Sequence, residues 1–409
     1  MKLYKAGFYY IISDALFGGI PVLLTPILSY YIAPEDFAIY INLTVMMMLS
    51  SVIIDFGSSG YFSIIFHNKE IPNRSVLKNS VISMIVNSAV YMILIYLFID
   101  DIANFVGASK LHIYISILAG FCTSVNALYL TSIRYSEKVI LFFNIRILQV
   151  LSHAMLAIIL VIVFDKSWAG RYVAHFAPVL LLFLWVVKNN KRLFWNNSVI
   201  SYGTNGFMPQ LMFGLTLMPH ALSSWIKTGF DRLYLTDSVG LLSNGIYSTA
   251  FQISMISSLI GVGFNKVLAP RMFKDMEHNN GKKLNIILPR VIIYNIYFTI
   301  LVTLFFQLTG KLLLPESYHS SLVILPYLLV AQGFLNIYIV YSNLMFFYKF
   351  TVKLSLVSLF SATIHVFFLE MLIVKYNELG ASISFLISAI IQTFLIVYII
   401  KVKLKNDYK

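Results

Sequence analysis

"LTPILSYYIAPEDFAIYINL", residues 24–43, joins two apolar segments through a turn that carries Pro34, Glu35 and Asp36 and neither lysine nor arginine. The chain holds 30 basic residues against 17 acidic ones, a net charge of +13, so a purely acidic turn carries information about where it lies. Runs of about 20 apolar residues, each enough to cross a hydrocarbon core of about 30 Å as a helix, flank it and recur along the whole length. Of 409 residues, 59% are hydrophobic and 11% charged, and the mean hydropathy is +0.82. Ordinary soluble domains carry roughly 25% charged residues. The pattern predicts an all-α polytopic membrane protein with no soluble domain.

Twelve spans are predicted, near 8–31, 38–66, 79–99, 111–133, 144–164, 168–187, 205–230, 239–265, 286–308, 320–347, 352–374 and 379–400. The first follows Lys2 and Lys5, but it is too long for a signal peptide, contains Asp14 and lacks a small-residue cleavage site, so it is expected to be retained. Cys122, the lone cysteine, falls in the fourth span and reads as core packing, with no internal disulfide or thiolate metal site to make.

With both termini in the cytoplasm, 23 of the 30 basic residues lie on the cytoplasmic side; Lys110, Lys166, Arg171, Lys227, Arg232, Lys311 and Lys375 are left on the other. That is a strong positive-inside signal. It puts the acidic turn on the exported side. The positive excess then serves topology and attraction to anionic headgroups. Its dispersal over short loops, without clustered aromatics, argues against a nucleic-acid partner.

The longest polar connector, residues 188–206, "KNNKRLFWNNSVISYGTNG", divides the chain into an N-terminal six-helix lobe, 1–187, and a C-terminal one, 207–409. An even number of spans per half would make any repeat a parallel one. A faint trace of it links residues 30–42 with 233–249. The connecting stretch 265–285 mixes apolar and basic residues at helical spacing and is expected to lie along the membrane surface.

Several stretches resemble the Wzx-type polysaccharide and O-antigen flippases, within the multidrug/oligosaccharidyl-lipid/polysaccharide exporter superfamily. Pro26 with "LSYYIAPEDFAIY" resembles that family's first helix pair, with Ala38 where a glycine is usual. "DFGSSGYFSIIFHNK" (55–69) resembles the end of its second helix, without the arginine often found there. "DRLYLTDSVGLLSNGIYSTAFQI" (231–253), with Gly245, Tyr247 and Ala250, resembles its seventh-to-eighth stretch; "LAPRMF" (268–273), "LLLPESYHSS" (312–321) and "YNELGASIS" (376–384) resemble later ones. The resemblance implies two six-helix lobes and transport of undecaprenyl-diphosphate-linked oligosaccharide from the cytoplasmic to the periplasmic leaflet of a bacterial inner membrane. It leaves H+ or Na+ coupling open, as well as partnership with a polysaccharide polymerase and a chain-length regulator. No cofactor is expected.

Such a substrate asks for a polar, cationic path, and charges within spans cost roughly 2.5 to 3.5 kcal/mol each, which makes the few present functional candidates. Arg146, Gln149 and His153 recur at i, i+3 and i+7 on one helix face. Arg146 either pairs with phosphate or snorkels to the interface. His220, Ser224, Lys227 and Asp231 form a second stripe; Lys227 and Asp231 are spaced for an ion pair or for a part in substrate or proton movement. Arg232 reads as an interface residue. Gln252, Gln332 and Asn336 are placed to contact sugar hydroxyls or to join helices. Asp55 and Asp231 are the ion-coupling candidates, with Asp14, His365 and Glu370 as further titratable groups in spans.

No Walker-type phosphate loop, His-Glu-x-x-His or nucleophile elbow occurs. The reading is a transporter, not an enzyme. Its rivals are a multidrug or small-solute antiporter of the same superfamily and, further off, a membrane polysaccharide polymerase or acyltransferase.

Overall fold

The computed structural model describes residues 2–66, 73–190, 207–277 and 281–407. Most of the connector, 191–206, and residues 67–69 of the second motif lie outside them. Among the described residues nine helices are long and apolar enough to cross a membrane. One of them, Thr351–Asp407, is two spans divided at Asn377, whose φ of 49° and ψ of −129° break the helix. With the first and seventh helices, which are not among those nine, the long helices of the described residues number twelve, the count the hydropathy pattern predicts.

The spans are α1 (Lys2–Leu28), α2 (Pro34–Asp55, resuming as Ser58–Ile65), α3 (Asn73–Leu97), α4 (Lys110–Tyr135), α5 (Val139–Ile158, ending in a π turn Ile159–Val163) and α6 (Ser167–Asn189). A short helix, Ile99–Val106, lies between α3 and α4. The second six are α7 (Phe207–Trp225, a π turn Ile226–Phe230, then Asp231–Ser238), α8 (Leu241–Glu277), α9 (Gly281–Leu313), α10 (Ser321–Phe347), α11 (351–376) and α12 (378–407).

The acidic turn is the start of α2. Pro34 occupies the first helical position, where its missing N–H costs nothing, and Glu35 and Asp36 face the positive end of the helix dipole. At the other end Phe56 and Gly57 turn left-handed, with φ of 43° and 75°. Gly57 has a second constraint: a Cβ there would lie 3.1 Å from the Gly214 Cα of α7. Asp55 accepts the Ser59 N–H at 3.2 Å and the Ser59 hydroxyl at 2.6 Å, so its carboxylate satisfies the start of the resumed helix.

Two sequence expectations are corrected here. The segment 231–238 continues α7 as helix, leaving only Val239 and Gly240 (φ 120°) for the turn. In 265–285 the helical spacing of apolar and basic residues is met as far as Glu277, but as a continuation of α8, which runs unbroken through Pro270, and not as a separate segment. At 37 residues α8 is about 55 Å long, well beyond the hydrocarbon thickness.

The chain forms two compact units. The first comprises Met1–Phe17 with Ile39–Trp225, the second Gly18–Ala38 with Ile226–Lys409. Within both, the usual soluble pattern is inverted. Serines such as Ser80, Ser124, Ser248 and Ser384 are fully buried, while Ile93, Leu148, Leu308 and Val374 are exposed. In lipid, helices pack through small and polar residues, and greasy side chains face out. The second unit also has conventional cores: Tyr247, Phe251, Leu328 and Phe385 pack in one, Met272, Leu344 and Ile396 in another.

The Pro21 carbonyl accepts the Thr25 hydroxyl at 3.0 Å and the Gln252 amide of α8 at 3.0 Å. Gln252 thus spends a donor holding α1 in the second unit.

Candidate functional site

Polar side chains gather at one place in each unit. In the first unit, Arg146, Gln149 and His153 lie along α5, as their spacing predicts. Gln149 and His153 are buried, 9% and 8% exposed, and the Arg146 guanidinium sits 4.1 Å over the Phe17 ring and 5.7 Å from that of Phe142. The Arg134 guanidinium lies 4.9 Å from the same Phe142 ring and 3.7 Å from the Asp14 carboxylate. Arg146 Nε, Gln149 Oε1 and His153 Nε2 are buried without a hydrogen-bond partner among the described residues. Three consecutive members of one stripe each keep a polar atom uncommitted. A buried, unsatisfied polar atom costs about 1–3 kcal/mol, so the arrangement suits a polar ligand or ordered water.

Two residues missed in the sequence join this group. His175 of α6 stacks on His153 with ring centroids 5.1 Å apart and planes 18° from parallel. Its Nδ1 meets the Tyr40 hydroxyl at 3.2 Å. Arg171, one turn before His175, is fully buried, with its guanidinium 5.2 Å from the Tyr40 ring. The i, i+4 spacing of Arg171 and His175 was the available signal. The charge count, which placed Arg171 among exported-side residues, hid it.

The second stripe does not survive as a stripe. The π turn Ile226–Phe230 adds a residue to the helical repeat between its members. His220, half-buried, belongs to the first unit, and Lys227 and Asp231 to the second. The expected Lys227–Asp231 ion pair is absent. Lys227 donates to Gln392 Oε1 of α12 instead, and Asp231 accepts the Tyr247 hydroxyl and the Arg232 N–H. His365 Nε2 lies 4.0 Å from Asp231 Oδ2, and its Nδ1 meets the Ser384 hydroxyl at 2.8 Å. Arg232 is 8% exposed and packs 4.3 Å over the Phe251 ring, so it is a buried member of this cluster and not an interface residue.

Of the remaining candidates, Asn336 is tied down: its amide donates to the Ser257 carbonyl at 3.1 Å. Gln332 is buried one turn earlier on α10.

The fold is similar to that of solved transporters of the multidrug/oligosaccharidyl-lipid/polysaccharide exporter superfamily. The inward-facing structure of a multidrug resistance MATE family transporter is similar over 96% of this chain and 94% of that one, with a TM-score of 0.74 at 14% identity. The lipid II flippase MurJ in its inward closed conformation is similar over 98% and 86%, with a TM-score of 0.69 at 15% identity. A superfamily transporter from Pyrococcus furiosus, described by a binding pocket of reverse polarity, is similar over 98% and 96%, with a TM-score of 0.64 at 15% identity. No curated protein matches the sequence. The chain belongs to the polysaccharide biosynthesis protein family, whose model matches residues 3–276, from α1 to the last turn of α8. It is a multi-pass membrane protein with a transporter fold.

Proposed function

We propose that the protein flips undecaprenyl-diphosphate-linked oligosaccharide, the repeat unit of O-antigen or a similar surface polysaccharide, from the cytoplasmic to the periplasmic leaflet of a bacterial inner membrane by alternating access. One observation carries this: the α5 stripe combines a guanidinium with a buried amide and imidazole whose polar atoms are uncommitted, and it holds no carboxylate. A guanidinium suits a diphosphate, and amide and imidazole suit sugar hydroxyls. One carboxylate, Asp14, lies beside the two guanidiniums, 3.7 Å from Arg134, so the group keeps a cationic excess, which suits an anionic substrate better than the cations of a multidrug antiporter. Gln252 and Asn336, each donating to a backbone carbonyl, are assigned to helix packing. A strain lacking the protein is expected to lose its surface polysaccharide and to hold undecaprenyl-linked units on the cytoplasmic side. Normal polysaccharide with altered drug tolerance would instead favour the antiporter.

For coupling to H+ or Na+, Asp231 has more support than Asp55. Both carboxylates accept hydrogen bonds, but those of Asp55 come only from Ser59 at the helix break, whereas Asp231 faces a tyrosine and a histidine, groups able to pass or receive a proton. The isosteric Asp231→Asn is expected to slow transport into proteoliposomes by about tenfold, a barrier change of about 1.4 kcal/mol, and to remove its dependence on an imposed ion gradient. Unchanged gradient dependence would assign Asp231 to packing alone.

A further inference from the structure

We propose that the second unit holds a buried proton-binding site between His365 Nε2 and Asp231 Oδ2 that takes H+ and not Na+, which deepens, and rests on, the coupling role given to Asp231.

The hydrogen bonds decide which histidine nitrogen carries the hydrogen. Ser384 Oγ of α12 lies 2.8 Å from the His365 carbonyl oxygen and 2.8 Å from its Nδ1. A serine hydroxyl has one hydrogen to donate, and a carbonyl can only accept. That hydrogen therefore goes to the carbonyl, and Nδ1–H donates to Oγ. In a neutral imidazole the other nitrogen is then an acceptor. His365 is fully buried, and its Nε2 has no hydrogen-bond partner among the described residues. It lies 4.0 Å from Asp231 Oδ2, which is itself an acceptor and takes the Tyr247 hydroxyl. Two buried acceptors thus face each other between α11 and α7. One proton satisfies both, forming an N–H bond at Nε2 and a charge-assisted hydrogen bond to Oδ2.

The surroundings do not suit a larger cation. Ca2+ asks for roughly six to eight oxygen ligands at about 2.3–2.6 Å, and Na+, of similar radius, asks for a comparable shell. Here both Asp231 oxygens already accept, Oδ1 from the Arg232 N–H at 2.9 Å and Oδ2 from Tyr247 of α8. The other charged groups facing the pair are cations of α7: Arg232, and Lys227, which donates to Gln392 of α12. The α10 helix, packed on α11 and α12, carries no Asp, Glu, Lys, Arg or His.

Loading also moves helices. An N–H···O bond between opposite charges spans about 2.7–2.9 Å, so His365 and Asp231 close by about 1.2 Å. Because Ser384 ties His365 to α12, α11 and α12 are drawn toward α7 together.

The test follows the imidazole nitrogens of the full-length protein, labelled at histidine, by solid-state NMR in nanodiscs. The pH runs from about 9 to about 4, two units or more to either side of an ordinary histidine, and His365→Gln identifies the signals. At high pH, His365 is expected to carry its hydrogen on Nδ1 with Nε2 bare. On acidification Nε2 gains a hydrogen in one step, unmoved when Na+ replaces K+. The step is expected to be lost in the isosteric Asp231→Asn, whose amide N–H then donates to Nε2. In Ser384→Ala the high-pH preference for Nδ1–H is expected to be lost. A hydrogen on Nε2 at high pH, no step at all, or a step unchanged by Asp231→Asn would overturn the shared site, and a step displaced by Na+ would overturn the choice of ion. The expected NMR behaviour, with transport by Asp231→Asn still dependent on the ion gradient, would uphold the proton site and remove the coupling role instead.

Discussion

Replacing Arg146 with alanine is expected to abolish restoration of surface polysaccharide in a deletion strain while the protein accumulates normally. A planar fork holding a diphosphate makes two charge-assisted hydrogen bonds, each worth about 1.5–3 kcal/mol. Losing both weakens substrate binding about a hundredfold or more. Arg146→Lys keeps the charge but gives up the second bond and the stacking on Phe17, so it should restore part of the polysaccharide. The two variants together separate a phosphate contact from an interface anchor, for which lysine would serve as well as arginine. Full complementation by Arg146→Ala at normal abundance would remove the phosphate role.

A second large effect is expected at Gly245. In the interior of a helix, glycine to alanine ordinarily stabilises by about 1 kcal/mol. Here the added Cβ would fall 2.0 Å from the carbonyl oxygen of Pro34 and 2.5 Å from its carbonyl carbon, and neither can rotate away as a side chain would. Forced overpacking costs about 1–3 kcal/mol in ordinary cores, and contact with backbone puts this position at or above the upper end. Gly245→Ala is expected to lower the thermal midpoint of the detergent-purified protein, and Gly245→Val to remove its monodisperse peak in size-exclusion chromatography. A rise in the midpoint for alanine would mean that α8 and the start of α2 are not in contact.

What could be read in advance followed from properties that belong to one helix at a time. Run length and hydropathy located all twelve spans, because lipid imposes a minimum length on each. The α5 stripe was legible because Arg146, Gln149 and His153 obey the helical repeat without help from neighbours. The second stripe was not, because the π turn in α7 shifts the register between Ser224 and Asp231, and nothing in "WIKTGF" announces it. Arg171 and His175 escaped for a different reason. Their significance lies in contacts with Tyr40 and His153 on other helices, and a loop-charge count treats any arginine near a span end as lying outside the membrane. For Gln252, the decisive fact is a carbonyl at Pro21, more than 200 positions away.

The division of the chain into units has a bearing on synthesis. The first unit is complete only when Trp225 has emerged, after the connector has already been made, and Gly18–Ala38 belongs with segments that begin at Ile226. The back half of the first helix must therefore enter the bilayer and wait for nearly half the polypeptide before its permanent neighbours arrive. The Pro21 carbonyl, later met by Gln252, is then without that donor throughout the wait. Fragments cut at the connector should consequently insert and still fail to mature alone, and the nascent protein is a client for whatever shelters unfinished helices during translation.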